Sequence, residues 1–345
     1  MRYIPVSELQ PGMIIANAVI DNNRNSSILI NGNVTLTSTM IKKLHILGYP
    51  AVYIYDNISA GIVAKESVPF SLRMNAVKKL KEFDLDGCMY LSGELIKGLC
   101  GEDGISTDMT NLASFDNYTY NHSINVASYA ATLGMILGYN EEKVRNLALA
   151  GMLHDIGKTR IATNIINKSG VLTSEERKEI EAHPCLGYDL VKDSTSVSAT
   201  VKVAIRHHHE NEDGSGYPDK LTGDRIHEFA KIIHVCDVYD AMVSKRVYHD
   251  AMNPADVIEY LMGGCGTLFD AHIVNLFIKN LFPYPIGMLV WGSDDCRYIV
   301  AENNKINPLR PKLKSLDTGK ELDMMQRLDF TIKDLATDPV PIVSQ

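Results

Sequence analysis

An apolar helical segment that ends in His154-Asp155 and is followed by Lys158 constrains this chain more than any other stretch. The aspartate has two carboxylate oxygens, so it can bridge two metal ions next to the histidine. His154 and Lys158 are four residues apart and therefore share a face of a helix. One helical turn thus offers metal ligands beside a cation that suits an anionic substrate. Because a His-Asp pair is common in proteins, the prediction depends on further ligands elsewhere in the chain.

Composition and charge exclude several classes of protein. With 345 residues, the chain can bury a large core and is predicted to hold two or three domains. The net charge of -8 argues against a DNA-binding protein. We find no signal peptide and no apolar run of about 18 residues, so no membrane span is predicted. Six scattered cysteines without a C-x-x-C pair are typical of reduced thiols in a cytoplasmic protein.

Changes in residue pattern divide the chain into four predicted segments. Residues 1–60 are predicted to form a small α+β accessory module, and residues 61–104 a helical linker. Residues 105–282 carry the periodicity of a helical core. Residues 283–345 are rich in β-formers, with a hairpin predicted about the turn at 293–295.

Within the N-terminal module, the β-forming runs are 13–20, 27–30 and 51–55, and turns separate them. Thr37 or Ser38 is predicted to cap a short helix between the second and third runs. The module carries no plausible catalytic cluster. It is interpreted as a regulatory, docking or dimerising unit, and a purely structural cap is an equal alternative.

Candidate metal ligands recur at helices and helix ends through the predicted core. They are His122, His154, Asp155, His183, a His pair near His208, and Asp237. The donors are nitrogen and oxygen without thiolate, which favours a catalytic site for iron, manganese, nickel, cobalt or zinc over a closed structural zinc site. Six or seven ligands are too many for one ion. They suit two ions about 3.5–4 Å apart, which can stabilise an in-line displacement at phosphorus.

The order and spacing of four motifs resemble the HD-GYP family, a branch of the HD-domain metal-dependent phosphohydrolases. The motifs are His154-Asp155 with Gly157-Lys158, His183-Pro184 with Gly187, His208-His209-Glu210 with Asp213-Gly214-Ser215-Gly216-Tyr217-Pro218, and Asp237 with Asp240-Ala241. The resemblance covers about residues 105 to 282. It implies a mainly α protein, with an all-helical HD-domain core, a small α+β N-terminal module and a small β-rich C-terminal segment.

The resemblance also implies an activity, namely hydrolysis of the bacterial second messenger cyclic di-GMP to pGpG and often on to GMP. The attacking group would be a hydroxide that bridges two divalent ions, with iron or manganese preferred over nickel, cobalt or zinc. The implied metal ligands are His122, His154, Asp155, His183, His208, His209 and Asp237, with Asp155 bridging. Catalytic roles fall to Asp155 and Lys158. The implied substrate contacts are Lys158, Asp213, Gly216, Tyr217, Pro218 and Arg246.

Departures from the family pattern leave some points open. Tyr118 stands where some members place a glutamate and bind three metals, which favours a two-metal site. His249 stands where a basic residue is common. The triple His207-His208-His209 leaves the ligand register open, and the spacing to Glu210 favours the last two.

Three other functions are alternatives to a cyclic di-GMP phosphodiesterase. They are a phosphodiesterase for cyclic GMP-AMP, a non-catalytic module that binds a cyclic dinucleotide, and a nucleotidase or deoxynucleotide triphosphohydrolase. Base choice depends on pocket contacts that a sequence does not fix. Besides the substrate, the expected partners are a second copy of the chain and signalling proteins.

Overall fold

A computed structural model describes residues 1–21, 27–47, 49, 51–56, 59–62, 68–101, 104–105, 118–168, 170–244 and 252–336. The chain divides into two compact units. One contains residues 1–66 together with 282–345, and the other contains residues 67–281. Among the described residues, no helix is both long enough and apolar enough to cross a membrane.

In the described residues of its N-terminal part, the first unit contains short strands and one α-helix. They are β1 (Arg2–Pro5), β2 (Ile14–Ile15), β3 (Val19–Asp21), β4 (Ser27–Ile30), α1 (Ser38–Ile46) and β5 (Ala51–Tyr55). Thr37 caps α1 as predicted, because its side chain accepts from the backbone N–H of Met40. The run at 13–20 is not one strand as predicted. The chain leaves the sheet of order β1-β5-β2 after β2 and joins a separate hairpin of β3 with β4.

The described residues of the second unit are helical, apart from one two-stranded hairpin. Its elements are α2 (Phe70–Lys81), α3 (Leu85–Leu99), β6 (Cys100–Gly101), β7 (Gly104–Ile105), α4 (Tyr118–Ile136), α5 (Glu141–Leu153), α6 (Thr163–Ile166), α7 (Ser174–Glu181), α8 (His183–Val191), α9 (Ala199–His207), α10 (Glu228–Val243), α11 (Pro254–Gly263) and α12 (Ala271–Asn280). A 3-10 turn, Ile156–Arg160, follows α5. The predicted mainly α class with a strand-rich C-terminal segment is confirmed.

Close packing of α4 against α5 positions the centre of this unit. A Cβ atom on Gly151 would lie 2.7 Å from the Cα of Ala127, so only glycine permits this separation of the two helices. As a result, the rings of His122 on α4 and His154 after α5 lie 5.3 Å apart between centroids. Helix packing has thus brought together histidines that are far apart in the chain.

The C-terminal part of the first unit is an antiparallel sheet of order β11-β10-β9-β8-β12. Its strands are β8 (Leu289–Gly292), β9 (Arg297–Glu302), β10 (Lys312–Ser315), β11 (Glu321–Asp323) and β12 (Ile332–Leu335). The predicted hairpin is confirmed, since β8 pairs antiparallel with β9. Val290, Val300 and Leu313 of this sheet pack in one buried cluster with Phe330.

The grouping into units differs from the four predicted segments. The predicted linker contains α2 and α3, whose apolar faces pack on α4 and α5 inside the second unit. The N-terminal and C-terminal segments share a core, because Ile62 packs in one buried cluster with Leu289, Ile299 and Leu316. Local sequence patterns do not reveal such pairing between distant segments, since burial against a partner depends on the tertiary fold.

Candidate metal centre

Five helices deliver the predicted ligands to one buried point. His122 lies in α4, His154 and Asp155 follow α5, His183 begins α8, His208 and His209 follow α9, and Asp237 lies in α10. All are buried except His209, which is partly exposed. The structure thus brings all seven predicted ligands together.

The first group of ligands, which we call the first triad, consists of His122, His154 and Asp237. One ligand atom from each lies within 4.8 Å of the others. Nε2 of His122 is 2.8 Å from Oδ1 of Asp237, and Nε2 of His154 is 3.8 Å from the same oxygen. Two imidazole nitrogens and a carboxylate oxygen therefore face a common point.

The second triad consists of His183, His208 and His209, whose ligand atoms also lie within 4.8 Å of one another. Nε2 of His183 is 3.2 Å from Nε2 of His208. The ring of His209 lies 4.2 Å from that of His208 between centroids. This second cluster consists entirely of imidazoles.

Asp155 lies between the two triads and turns one carboxylate oxygen towards each. Its Oδ2 is 3.5 Å from Nε2 of His154 and 3.9 Å from Nε2 of His122. Its Oδ1 is 3.2 Å from Nε2 of His183. This is the arrangement that a carboxylate needs in order to bridge two cations.

Backbone carbonyls fix the protonation of three histidines. In each, Nδ1 donates to the carbonyl three residues earlier: His154 to Gly151 at 2.7 Å, His183 to Ile180 at 2.7 Å, and His208 to Ile205 at 2.8 Å. A carbonyl only accepts, so Nδ1 carries the proton and Nε2 of a neutral ring is a bare lone pair. Such a hydrogen bond is the usual support of a metal-binding histidine.

These donors fit metal ions, and two features of the site show this. Nε2 of His183 and Nε2 of His208 both carry lone pairs, so their 3.2 Å approach is repulsive unless a cation shares them. Nε2 of His154 and Oδ1 of Asp155 are buried without a hydrogen-bond partner among the described residues. Unsatisfied buried acceptors are costly, and a cation would satisfy both.

The electrostatics of the site favour the metal-binding protonation state of four ligands, namely Asp155, Asp237, His208 and His209. Burial alone would raise the pKa of Asp155, but Lys158, His154 and His183 together outweigh burial and hold this pKa well below its usual range. Burial also opposes ionisation of Asp237, yet its hydrogen bond to His122 and the nearby His154 and His209 together lower the pKa of Asp237 well below normal. Burial lowers the pKa of His208 and of His209 well below 6.5. The carboxylates are therefore charged and these imidazoles neutral.

The Gly-Tyr-Pro loop supports His209. The ring of Tyr217 stacks on that of His209, with centroids 4.8 Å apart, and the Tyr217 N–H donates to the His209 carbonyl. A Cβ atom on Gly216 would overlap the same carbonyl, so glycine is required for this close approach. Asp213 accepts from the Ser215 N–H and shapes the turn, and a cis peptide bond joins Tyr217 to Pro218.

Lys158 and Arg246 were predicted to contact substrate, and the structure describes only the first. Nζ of Lys158 lies 2.7 Å from Oδ2 of Asp155. Lys158, Tyr120 and Thr159 line a cavity of about 170 Å³ that also reaches Asp155. Arg246 and His249 lie outside the described residues.

The three consecutive histidines, residues 207–209, lie in two different environments. His208 and His209 face the ligand cluster, whereas His207 points to Asp219, with Nε2 2.8 Å from Oδ2. Arg206 also binds that aspartate through two hydrogen bonds. The structure therefore places the second and third histidines at the centre.

Several supporting residues were given no role by the sequence. Asp240 accepts from Nδ1 of His122 at 2.7 Å, and Asn125 donates to the other oxygen of Asp240 at 2.9 Å. Nδ1 of His234 lies 2.7 Å from the His208 carbonyl. The buried Glu210 accepts from the N–H groups of two loop residues. For Asp240, the signal was its position one turn after Asp237 on the same helix.

Comparison with known proteins places this centre in a family. Residues 108–273 match the model of the HD domain family. This segment is an HD domain. The seven clustered ligands all lie within the HD domain, whereas α2 and α3 precede it.

Curated relatives are similar to about half of this chain. A cyclic di-GMP phosphodiesterase, PA4108, from Pseudomonas aeruginosa is 37% identical over 206 residues, covering 60% of this chain and 50% of that protein. The cyclic di-GMP phosphodiesterase response regulator RpfG from Xanthomonas campestris pv. campestris is 39% identical over 146 residues, covering 42% of this chain and 38% of that protein. The chain thus spans half or less of the length of these relatives.

A solved structure supports the fold. Bd1817, an HDGYP-type protein from Bdellovibrio bacteriovorus, superposes with a TM-score of 0.50 and covers 80% of this chain and 97% of that one. Its sequence identity is 16%, so the likeness concerns the fold alone.

Proposed function

We propose that this chain is a metal-dependent phosphodiesterase that hydrolyses cyclic di-GMP to pGpG and on to GMP. The substrate is proposed from the names of the relatives and from the ordered motifs of the HD domain. The observation that carries the proposal is the position of Asp155, which turns Oδ1 towards the second triad and Oδ2 towards the first. Bridging of this kind is the requirement of a two-ion hydrolytic centre.

The proposed ligand assignment follows the two triads. One ion would be held by His122, His154 and Asp237, the other would be held by His183, His208 and His209, and Asp155 would serve both. When bound, the pair of ions supplies Lewis acidity to a phosphate oxygen and lowers the pKa of a shared water. Imidazole and carboxylate donors suit iron or manganese, and also nickel, cobalt or zinc.

The residues around the centre would bind and orient the dinucleotide. Lys158 lies at the edge of the cavity beside Asp155, where its ammonium can pair with a phosphate oxygen. We propose that Arg246 supplies a second cation, which would match the two phosphates of the substrate. Tyr217, together with Asp213, Gly216 and Pro218, would shape the wall next to His209.

Product analysis tests the activity directly. The protein is incubated anaerobically with cyclic di-GMP and added Fe²⁺ or Mn²⁺, and the products are separated by chromatography. Appearance of pGpG or GMP with the wild type, and its absence with Asp155→Ala, is the expected result. A parallel incubation with cyclic GMP-AMP compares the two substrates, and faster turnover of that dinucleotide would replace the proposed substrate.

Binding without cleavage would support a different function. If the metal-loaded protein binds cyclic di-GMP but forms no product, the chain is a binding module and the proposed activity is wrong. Asp189→Ala is a suitable control, since this aspartate is 59% exposed and pairs with Lys192 on the surface of α8.

A further inference from the structure

We propose that Arg73 is a positioning residue for the first triad, and that helix α2 controls metal affinity there through Arg73. Arg73 lies in α2, ahead of the segment that matches the HD domain family. Its residue exposure is only 5%. An element outside the family segment thus places a buried cation close to the metal centre.

A continuous series of hydrogen bonds joins Arg73 to the first triad. Nη1 of Arg73 donates to Oδ1 of Asn125 over 2.6 Å. The amide of Asn125 donates through Nδ2 to Oδ1 of Asp240 over 2.9 Å. Oδ2 of Asp240 accepts from Nδ1 of His122 over 2.7 Å, and Nε2 of His122 faces Asp237. We call Arg73, Asn125, Asp240 and His122 the relay, and all four residues are buried.

The chemistry of the guanidinium explains why Arg73 matters. An asparagine amide can present either its oxygen or its NH₂ group, and only the NH₂ group can bind the carboxylate of Asp240. Arg73 has donors and no acceptor, so it binds the amide oxygen and turns the NH₂ group towards Asp240. Asp240 in turn holds the proton on Nδ1 of His122 and leaves Nε2 for a metal ion.

Helix α2 also contacts the site at its other end. Leu80, seven residues after Arg73 and so on the same face, lines the cavity beside Asp155 and Lys158. Nζ of Lys81 lies 5.7 Å above the ring of Tyr120, another lining residue. A movement of α2 would therefore change both the support of His122 and the wall of the cavity.

The inference rests on the proposed metal centre but not on the identity of the substrate. It is tested by titrating metal-depleted protein with Mn²⁺ by calorimetry and with Co²⁺ by visible absorption. In Arg73→Met, we expect the affinity of one of the two ions to fall about 10–100-fold, as for other residues that support ligands. The affinity of the second ion should stay within about twofold of wild type, because the hydrogen-bond series from Arg73 ends at His122, a member of the first triad.

Matched variants separate positioning from a general structural role. Arg73→Lys keeps a donor without an acceptor and should recover part of the lost affinity. Lys78→Met is the control on the same helix, since the Lys78 side chain is 68% exposed, and it should bind both ions normally. His209→Ala identifies which ion is affected. It should lower the affinity for the ion whose binding Arg73→Met leaves unchanged.

Each outcome decides the inference. If Arg73→Met lowers the affinity for both ions equally, or changes neither affinity, Arg73 only stabilises the fold. If Arg73→Met does not fold, Arg73→Gln replaces it, since glutamine can offer either an oxygen or an NH₂ group to Asn125. The same selective loss is then required. If the wild type binds two ions but does not cleave cyclic di-GMP, the proposed function is wrong and this test still applies. If the wild type binds fewer than two ions, both the proposed function and this inference are wrong.

Discussion

Nδ1 of His122 lies 2.7 Å from Oδ2 of Asp240, and this contact decides which nitrogen of His122 is available to a metal ion. A carboxylate accepts, so Nδ1 carries a proton and Nε2 faces Asp237. Burial lowers the pKa of His122, but its hydrogen bonds to Asp237 and Asp240 outweigh burial and raise the pKa to about 9. In the metal-free protein both nitrogens therefore carry protons at neutral pH, and a bound ion takes the place of the Nε2 proton.

Replacing Asp155 with alanine should remove hydrolysis and lower the metal content, because the bridge between the triads is lost. Metal binding should also stabilise the wild type, by about 2.7 kcal/mol at a metal concentration of 100 times the dissociation constant. Thermal unfolding with and without Mn²⁺ should show this gain in the wild type and a smaller one in Asp155→Ala. Undiminished turnover and metal content in Asp155→Ala would contradict the two-ion centre.

Replacing Lys158 with methionine should reduce kcat/KM about 10²–10³-fold while both ions remain bound, since the ammonium acts on the phosphate rather than on the metals. Steady-state kinetics and metal analysis of the same preparation measure the two effects. Lys192→Met is the control, because the Lys192 side chain is 46% exposed and pairs with Asp189 on the surface of α8. Loss of metal from Lys158→Met would show instead that Lys158 holds Asp155 in place.

The triple histidine offers a test of ligand register. His209→Ala should lower the number of ions retained per chain after desalting, because His209 belongs to the second triad. His207→Ala should retain the wild-type number, since His207 contacts Asp219 and not the ligand cluster. Elemental analysis of both variants side by side gives the answer. The opposite pattern would shift the ligand register by one residue.

Glu210 should stabilise the loop that carries Tyr217. Oε1 accepts from the Asp219 N–H at 2.7 Å and Oε2 from the Leu221 N–H at 2.9 Å. Hydrogen bonds to a buried charged group are strong, so Glu210→Ala should lower the free energy of unfolding by about 3 kcal/mol. Glu210→Gln keeps one acceptor and should lose less. Denaturant unfolding measures both against Glu259→Ala, whose exposed side chain should matter little. A loss below about 0.5 kcal/mol in Glu210→Ala would show that the loop does not depend on Glu210.

The helical class and the choice of candidate ligands followed from local sequence. His154, His183 and Asp237 each lie within a short motif at a helix or its end, and such motifs depend on residue spacing alone. The hairpin of β8 and β9 was predicted for the same reason, because alternating β-formers and a turn are local signals. The strand at 13–20 was predicted wrongly, since a change of sheet within one run depends on which distant strands pair.

Tertiary structure decided what the ligands can do together. Sequence determined that Asp155 has two oxygens, but only the packing of α4, α5, α8, α9 and α10 turns one oxygen to each triad. Likewise, the sequence contains Arg73 and Asn125 without any signal that joins them, because they are 52 residues apart and neither belongs to a motif. Residue types and spacing determine which groups can bind a metal, whereas their distances and protonation depend on contacts between helices that no local pattern encodes.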